Sequence, residues 1–313
     1  MAQYGFIKDA DRLFPPMVVV EATNVCNLRC VHCAHPRLVK TPHYRPHHMK
    51  WELYTRIADE AASHPGTIFR LACDGEPLCH PRFIDMLKYA DACGIAPLTF
   101  NTNGTLMNED KARGVLGITR GVVEFSLDAI SKEAYEAIRV GADYDTVMAN
   151  IHRFIELRDR LNPGVKVMVS IIVQPESDAE RARFLDYWKP RVDHVLERKY
   201  IACKGELDPS KERVGELPAR WPCKQLWTRF NINPEGLAEF CTDDWHDRSV
   251  IGDVREQSIA AIWRGEAYEK LRRLHLSGKF EEVPFCSACT DWRVIEWDYD
   301  YFRAVNKAFG QAE

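Results

Sequence analysis

Two groups of cysteines carry the chemistry this sequence offers. Cys26, Cys30 and Cys33 sit in TNVCNLRCVHCAH, residues 23–35, with three and then two residues between them. Cys223 and Cys241 bracket the stretch CKQLWTRFNINPEGLAEFC, and Cys286 and Cys289 follow as CSAC. The total of eleven cysteines is odd, which argues against a closed disulfide framework. In a reducing compartment such clusters are metal ligands or catalytic groups. A structural zinc wants four ligands, and an iron–sulfur cluster normally takes four cysteines. Three thiolates without a nearby fourth therefore suggest a cubane cluster with one iron left open to something other than protein. A zinc knuckle or unconnected buried thiols is the plainer alternative. The second group makes a closed four-thiolate site that zinc fills as well as iron does.

The elements around these cysteines define an α/β chain. From about residue 16 to 202, β-branched runs alternate with helical periodicity. Strands are expected at 17–23, 67–73, 97–102, 122–128, 165–173 and 192–201. Helices are expected in WELYTRIADEAAS, PRFIDMLKYADACG, YDTVMANIHRFIELRDRL and AERARFLDYWK. Such alternation implies right-handed βαβ units and a parallel sheet. Six strands are too few for an eight-stranded barrel, so the expected architecture is a partial (βα)6 TIM-like barrel. Its chemistry belongs at the C-terminal strand ends, and Cys26, Cys30 and Cys33 directly follow the first strand. The organisation reads as an N-terminal segment 1–15, a barrel 16–205, a polar, proline-containing linker 206–222, and a small β-hairpin/helix domain 223–313 that carries the second cysteine set and ends in a helix. The start MAQYGFIKDADRLF has no signal-peptide features, and no run approaches the ~18 apolar residues of a membrane span. The expectation is a cytoplasmic protein with no membrane partner. A net charge of −4 provides no electrostatic footprint for nucleic acid.

With C-x3-C-x2-C after the first strand of a partial α/β barrel, the chain resembles the radical S-adenosylmethionine (SAM) family. The resemblance covers roughly residues 16–202. It implies that Cys26, Cys30 and Cys33 hold a [4Fe–4S] cluster whose open iron chelates SAM, and that an electron from a flavodoxin or ferredoxin-type donor yields a 5′-deoxyadenosyl radical. His32 matches the family's aromatic position beside the adenine. CDGEP, with Asp74, Gly75 and Glu76, resembles the Gly-Gly-Glu-Pro motif that holds the SAM ammonium, although Asp74 replaces the first glycine. Asn103, in NTNG, resembles the strand-end Asn-Gly turn. Ser126 and Asp128 resemble positions that reach the ribose and methionine moieties, and they are expected on one face of strand four. Arg139 matches the basic position that pairs with the SAM carboxylate.

The C-terminal pattern is similar to the auxiliary-cluster extension of that family, called SPASM in its long form. No cysteine follows Cys289, so the pattern resembles the short form, twitch, with Cys223, Cys241, Cys286 and Cys289 around one auxiliary [4Fe–4S] cluster. The best-matched subgroup includes the dehydrogenase that oxidises a hydroxyl of 2-deoxy-scyllo-inosamine. The resemblance thus implies a radical SAM oxidoreductase acting by oxidation or rearrangement of a sugar, aminocyclitol or similar polar small molecule, with the auxiliary cluster accepting an electron. Modification of a ribosomally made peptide is the alternative. The roughly fifteen residues before strand one are short for a leader-binding domain, which favours a small substrate. A radical epimerase or dehydratase would use a cysteine as hydrogen donor, with Cys73, Cys79 and Cys203 as candidates and Cys93 in the core. A non-catalytic electron carrier would need no Glu76, Ser126 or Arg139. Arg198 and Lys199, which with Tyr200 end strand six, join Cys203 as candidate catalytic residues. His43, His47 and His48 occupy the loop after the first cysteine set.

Overall fold

The computed structural model describes residues 4, 6–72, 74–214, 219–294 and 301–310. Six strands form where the β-branched runs lie: β1 Met17–Val20, β2 Ile68–Leu71, β3 Leu98–Thr102, β4 Gly121–Ser126, β5 Val165–Val173 and β6 His194–Lys199. All adjacent pairs among them are parallel, in the order β6-β5-β4-β3-β2-β1. Helices Trp51–Ala62, Phe83–Ala92, Glu109–Val115, Tyr144–Leu161 and Asp178–Trp188 cover the outside. The partial α/β barrel is therefore the fold.

Alternation along each strand decides which residues face the helices and which face the hollow. Val18 and Val20 pack in the large outer core with Phe69, Phe100, Phe125 and Phe154. Met17 and Val19 belong instead to an inner cluster with Ile68, Val122, Met168 and Leu196. That inner cluster is closed by the C-terminal helix Tyr301–Ala308, through Tyr301, Ala304, Val305 and Ala308. This helix plugs the hollow of the barrel, so the space above it is left for chemistry.

Just above the plug lies a buried ion network. The Arg198 guanidinium donates to both Glu124 oxygens at 2.7 and 2.8 Å. Arg70 donates to Glu124 at 3.4 Å and stacks 4.0 Å over the Tyr301 ring. Burial opposes a charge on Glu124, yet Arg198 and Arg70 overcome it and hold the carboxyl down to about 2. A depressed carboxylate contributes stability above its unfolded pKa and loses it as pH falls through the folded value. Glu124→Gln leaves the half-buried Arg198 and Arg70 without their anion and is expected to cost about 3 kcal/mol near pH 7. Urea unfolding should show this gap narrowing between roughly pH 5 and pH 2. A gap that does not change with pH would contradict the ionised state of Glu124.

The C-terminal region differs from its sequence reading in two ways. The residues after Cys223 form a short helix, Gln225–Thr228, rather than a strand, and only Phe230–Ile232 (β7) and Leu237–Glu239 (β8) make the hairpin. A third strand, β9 Val250–Asp253, pairs antiparallel with β8. The hairpin is also not a separate sheet. β7 pairs parallel with β1, giving one nine-stranded sheet in which β7, β8 and β9 continue past β1. The polar run after β6 lies against the barrel: Glu212 accepts from Ala202 N at 2.8 Å, and Lys211 and Arg213 pair with Glu176 and Asp178.

Candidate active site

The loop after β1 and the turn after β2 are fastened together. Thr23 bridges to His48, and its hydroxyl donates to His47 O at 2.9 Å and accepts from Val25 N. Glu76 N donates to Val25 O at 2.9 Å. Gly75 lies so close to this loop that an added Cβ would stand 2.1 Å from Thr23 O and 2.8 Å from Val25 O. Both obstacles are backbone, so no side-chain rotation relieves them. Gly75→Ala is expected to open the turn at a cost of about 1–3 kcal/mol. Spent there, that strain weakens SAM binding by about 5- to 150-fold. Equilibrium dialysis with SAM checks this, and unaltered affinity would separate the turn from the SAM site.

Glu76 is buried and receives three donors: Leu78 N at 3.1 Å, the Thr102 hydroxyl at 2.7 Å and Asn103 N at 2.7 Å. Burial raises its pKa, and these donors oppose the rise. Asn103 also donates to Asn27 Oδ1 at 2.9 Å, and Asn27 donates to Thr105 at 2.8 Å, so the end of β3 holds the cysteine loop. Asn27 and Thr102 had no motif to mark them. Their signal is position, beside Cys26 and at the end of β3.

Ser126 ends β4, paired with Ser170, but Asp128 does not share a strand face with it. The strand stops at Ser126, and Asp128 takes φ 73°, a left-handed conformation that Asp tolerates better than most residues. This bend turns the Asp128 carboxylate toward Arg139, whose Nε and Nη2 donate at 2.7 and 2.6 Å. Ile172 N donates to its other oxygen at 2.7 Å. Arg139 further donates to Cys30 Sγ at 3.6 Å. Burial works against the arginine's charge, but Asp128 and Cys30 raise its pKa, so it stays a cation. His32 has a buried side chain, 3.6 Å from Asp128 and 3.3 Å from Gln174 Nε2. Burial, more than any charge, lowers its pKa to about 4, leaving a neutral ring. Gln174 is fully buried, and its Oε1 is unpartnered among the described residues. It extends the series of strand-end polar residues that β1 to β4 already display.

The three thiols share one loop, and Cys30 is buried while Cys26 and Cys33 are half-buried. Burial pushes Cys26 and Cys33 up to about 12, and each feels Cys30 in addition. His35 N donates to Cys33 Sγ at 3.4 Å. Buried thiols with no disulfide partner, a guanidinium beside one of them and a backbone donor on another are the donor set a metal centre draws as thiolates.

The second set encloses a cavity of about 320 Å³, lined by Cys223, Cys241, Cys286 and Cys289, with Lys204 among them, and reaching Arg198 and Lys199. Lys204 donates to Cys241 Sγ at 2.8 Å. Burial acts against its charge, but Cys241 and Asp243 raise its pKa. Lys204 and Cys203 both have positive φ, 54° and 47°. Cys203 packs with Ala34, Tyr200 and Leu207. Burial first, then Asp243, Asp291 and Cys33, raises its pKa, and its neighbours Ala34 and Lys204 adjoin Cys33 and Cys241. Arg198 faces the hollow and is engaged by Glu124, whereas Lys199 is exposed at the cavity edge. Cys79 is half-buried next to Glu76, and Cys93 is a half-buried helix C-cap. Cys73 lies outside the described residues.

A three-thiol loop at the strand ends of a partial barrel, with a four-thiol cavity beside it, defines an enzyme that keeps a reactive cluster next to a second one. The chain belongs to the radical SAM superfamily, whose model matches residues 20–187. The model of an iron–sulfur cluster-binding domain, SPASM, matches residues 223–290 and contains all four C-terminal cysteines. A Treponema pallidum protein is 27% identical over 81% of this chain and 73% of its own length. The tungsten-containing aldehyde ferredoxin oxidoreductase cofactor-modifying protein of Pyrococcus furiosus is 29% identical over 48% of this chain and 43% of its own length, less than half of that relative. Among solved structures, BtrN in complex with AdoMet and 2-DOIA has a TM-score of 0.60 at 17% identity, covering 91% of this chain and 97% of that one. SuiB of Streptococcus suis bound to S-adenosylmethionine has a TM-score of 0.71 at 14% identity, covering 94% and 75%. These likenesses show the fold. The protein is a radical SAM enzyme that uses SAM, a SAM-binding [4Fe–4S] cluster and an auxiliary cluster. Among the described residues no helix is long and apolar enough to cross a membrane.

If Cys241 ligates the auxiliary cluster, Lys204, donating to its Sγ at 2.8 Å, would raise that centre's potential. A hydrogen bond to a charged group is worth about 1.5–3 kcal/mol, or roughly 60–130 mV for one electron. Lys204→Met is expected to lower the midpoint potential by about that amount. An EPR-monitored titration checks it, and an unchanged potential would leave Lys204 a purely structural role.

Proposed function

We propose that this enzyme oxidises a hydroxyl-bearing carbon of a polar small molecule, a sugar, an aminocyclitol or a related compound. The observation that carries the reading is the four-thiol cavity, which opens toward Arg198 and Lys199 at the end of β6. When bound, SAM with its cluster supplies a hydrogen-abstracting radical, and the auxiliary cluster supplies a one-electron acceptor. Cys26, Cys30 and Cys33 hold the first cluster, and Cys223, Cys241, Cys286 and Cys289 hold the second. Glu76 and the turn around Asp74 and Gly75 receive the SAM ammonium. Arg139, set by Asp128, answers the carboxylate, Ser126 and Asn103 orient the rest of SAM, and the neutral His32 ring lies beside the adenine. Lys199 positions the substrate from the cavity edge, and Arg198 keeps the floor rigid through Glu124. Conversion of an alcohol to a carbonyl removes one hydrogen atom from carbon, one proton from oxygen and one further electron. A flavodoxin or ferredoxin-type donor supplies the electron that SAM cleavage consumes, which fits a reducing, cytoplasmic setting. BtrN, whose bound 2-DOIA is a small molecule, is similar over nearly the whole chain.

The second reading is modification of a peptide. SuiB, solved with its precursor peptide SuiA, shares the fold over 83% of this chain. The mycofactocin maturase of Mycobacterium tuberculosis is 30% identical over half of it. Cys203, buried between the two cysteine sets, fits a third outcome, a redox-neutral epimerisation with a thiol hydrogen donor.

A screen of deuterated polyols and aminocyclitols with the anaerobically reconstituted enzyme separates these readings. Deuterium in 5′-deoxyadenosine together with a product three mass units lighter than the C-deuterated substrate supports oxidation. An unlabelled substrate returned from D2O one mass unit heavier at a carbon, an exchange lost in Cys203→Ala, supports epimerisation. No transfer from any small molecule, with transfer from a peptide, overturns the leading reading.

A further inference from the structure

Alternation on β1 places Glu21 on the same inward face as Met17 and Val19. It is 6% exposed, yet it lines a cavity of about 190 Å³ between the end of β1, the loop at residues 41–47 and the β7–β8 hairpin. Its Oε1 is buried and has no hydrogen-bond partner among the described residues. Asp74, Glu239 and Asp247 line the same cavity. Asn233 donates to the last two, at 3.4 and 3.1 Å, so these carboxylates are held rather than splayed. Arg45, the arginine on this lining, spends its Nη1 on the carbonyls of Pro42 and Tyr44, at 2.9 and 2.8 Å. Trp245 shares the lining, and its indole N–H is also buried without an acceptor among the described residues.

The Asp74 backbone N–H donates to the Glu21 carboxyl, but the buried Oε1 left without a donor is costly unless something satisfies it. The missing partner is a cation that donates hydrogen bonds, and the Trp245 N–H asks the same ligand for an acceptor. We propose that this cavity binds a primary ammonium group flanked by a hydroxyl, with Glu21 as its anion, so that the substrate class is a hydroxylated amine. This rests on the small-molecule reading above and narrows it. Asp74 belongs both to this cavity and to the turn that receives SAM, so an ammonium held here is anchored beside the reactive centre. Burial first, then the Asp74 and Glu239 charges, raise the Glu21 pKa, so a cationic ligand that offsets this cost is favoured there.

Calorimetry with the reconstituted, SAM-loaded enzyme tests this without turnover. The probe is trans-2-aminocyclohexanol, compared with cyclohexane-1,2-diol, Nα-acetyl-lysine amide and manganese chloride. The amino alcohol is expected to bind at least about tenfold more tightly than the diol, and Glu21→Gln is expected to remove that preference. Iron content and melting temperature report whether the variant is intact. Should it fail to load clusters, Asp247→Asn serves in its place, with a weakening of about threefold or more. Glu21-dependent binding of the lysine amide as tight as that of the amino alcohol overturns the hydroxylated-amine class. Equal binding of amine and diol, equal affinity in both variants, or stoichiometric manganese binding overturns the proposal. Since no product is measured, such a failure leaves the oxidation reading standing. A neutral polyol oxidised by an enzyme that ignores the amino alcohol would reject the ammonium site alone.

Discussion

Replacing Cys26, Cys30 and Cys33 together with alanine is expected to reduce 5′-deoxyadenosine formation to the level of a protein-free assay. Reconstituted iron should fall from about eight to about four per chain. The reason is geometric as well as chemical. These thiols are the ends of a loop fastened at several points: Arg29 N and Val31 N donate to Val140 O and Ile138 O, Asn27 bonds Thr105, and Thr23 bonds His47. That frame does not depend on the sulfur atoms, so the variant should fold and keep its C-terminal irons. Retained 5′-deoxyadenosine formation would remove the assignment of SAM cleavage to this loop. A loss of all eight irons with a lowered melting temperature would mean instead that the first cluster stabilises the whole sheet.

Changing Cys286 and Cys289 to alanine is the second large effect expected. SAM cleavage should persist, because the first set lies on a loop built by β1 to β4 and Arg139. Oxidised product should fall by about 10- to 100-fold or more, the range seen when a metal site loses even supporting partners. About four irons should be lost. The two cysteines lie on a short segment, Pro284–Ser287 and its extension, whose anchors include Arg220 donating to Cys286 O at 2.9 Å. Unchanged product yield would exclude the second set as an electron acceptor and move the proposal toward a redox-neutral reaction at Cys203. Zinc in place of iron in the wild-type protein would do the same.

The two cysteine motifs, the six strands and the open barrel were legible in the amino-acid order because each is a local signal. C-x3-C-x2-C brings three thiols together within one loop whatever the rest of the chain does. Runs such as MVVV and VKVMVSIIV carry the period and the β-branching that make strands. Glu76, Asn103 and Arg139 were marked by the resemblance of their short stretches after strands two, three and four to motifs of the radical SAM family. Other features depended on contacts between residues far apart in sequence. Nothing local told that β7 would pair with β1 and merge the hairpin into the barrel sheet, or that Tyr301–Ala308 would fill the hollow. Asp128 was read as a strand residue because alternation continues to it. Its left-handed bend is stabilised only by Arg139 and Ile172, which the sequence places elsewhere. Glu21 looked like the end of an apolar strand. It became a candidate ligand only when the hairpin closed over it and left one carboxylate oxygen without a donor. Sequence by itself determined which groups are candidates for chemistry, because ligand type and spacing are written along the chain. The tertiary structure decided which buried charges those groups share and which are left for a substrate, because burial and pairing are properties of the packed sheet.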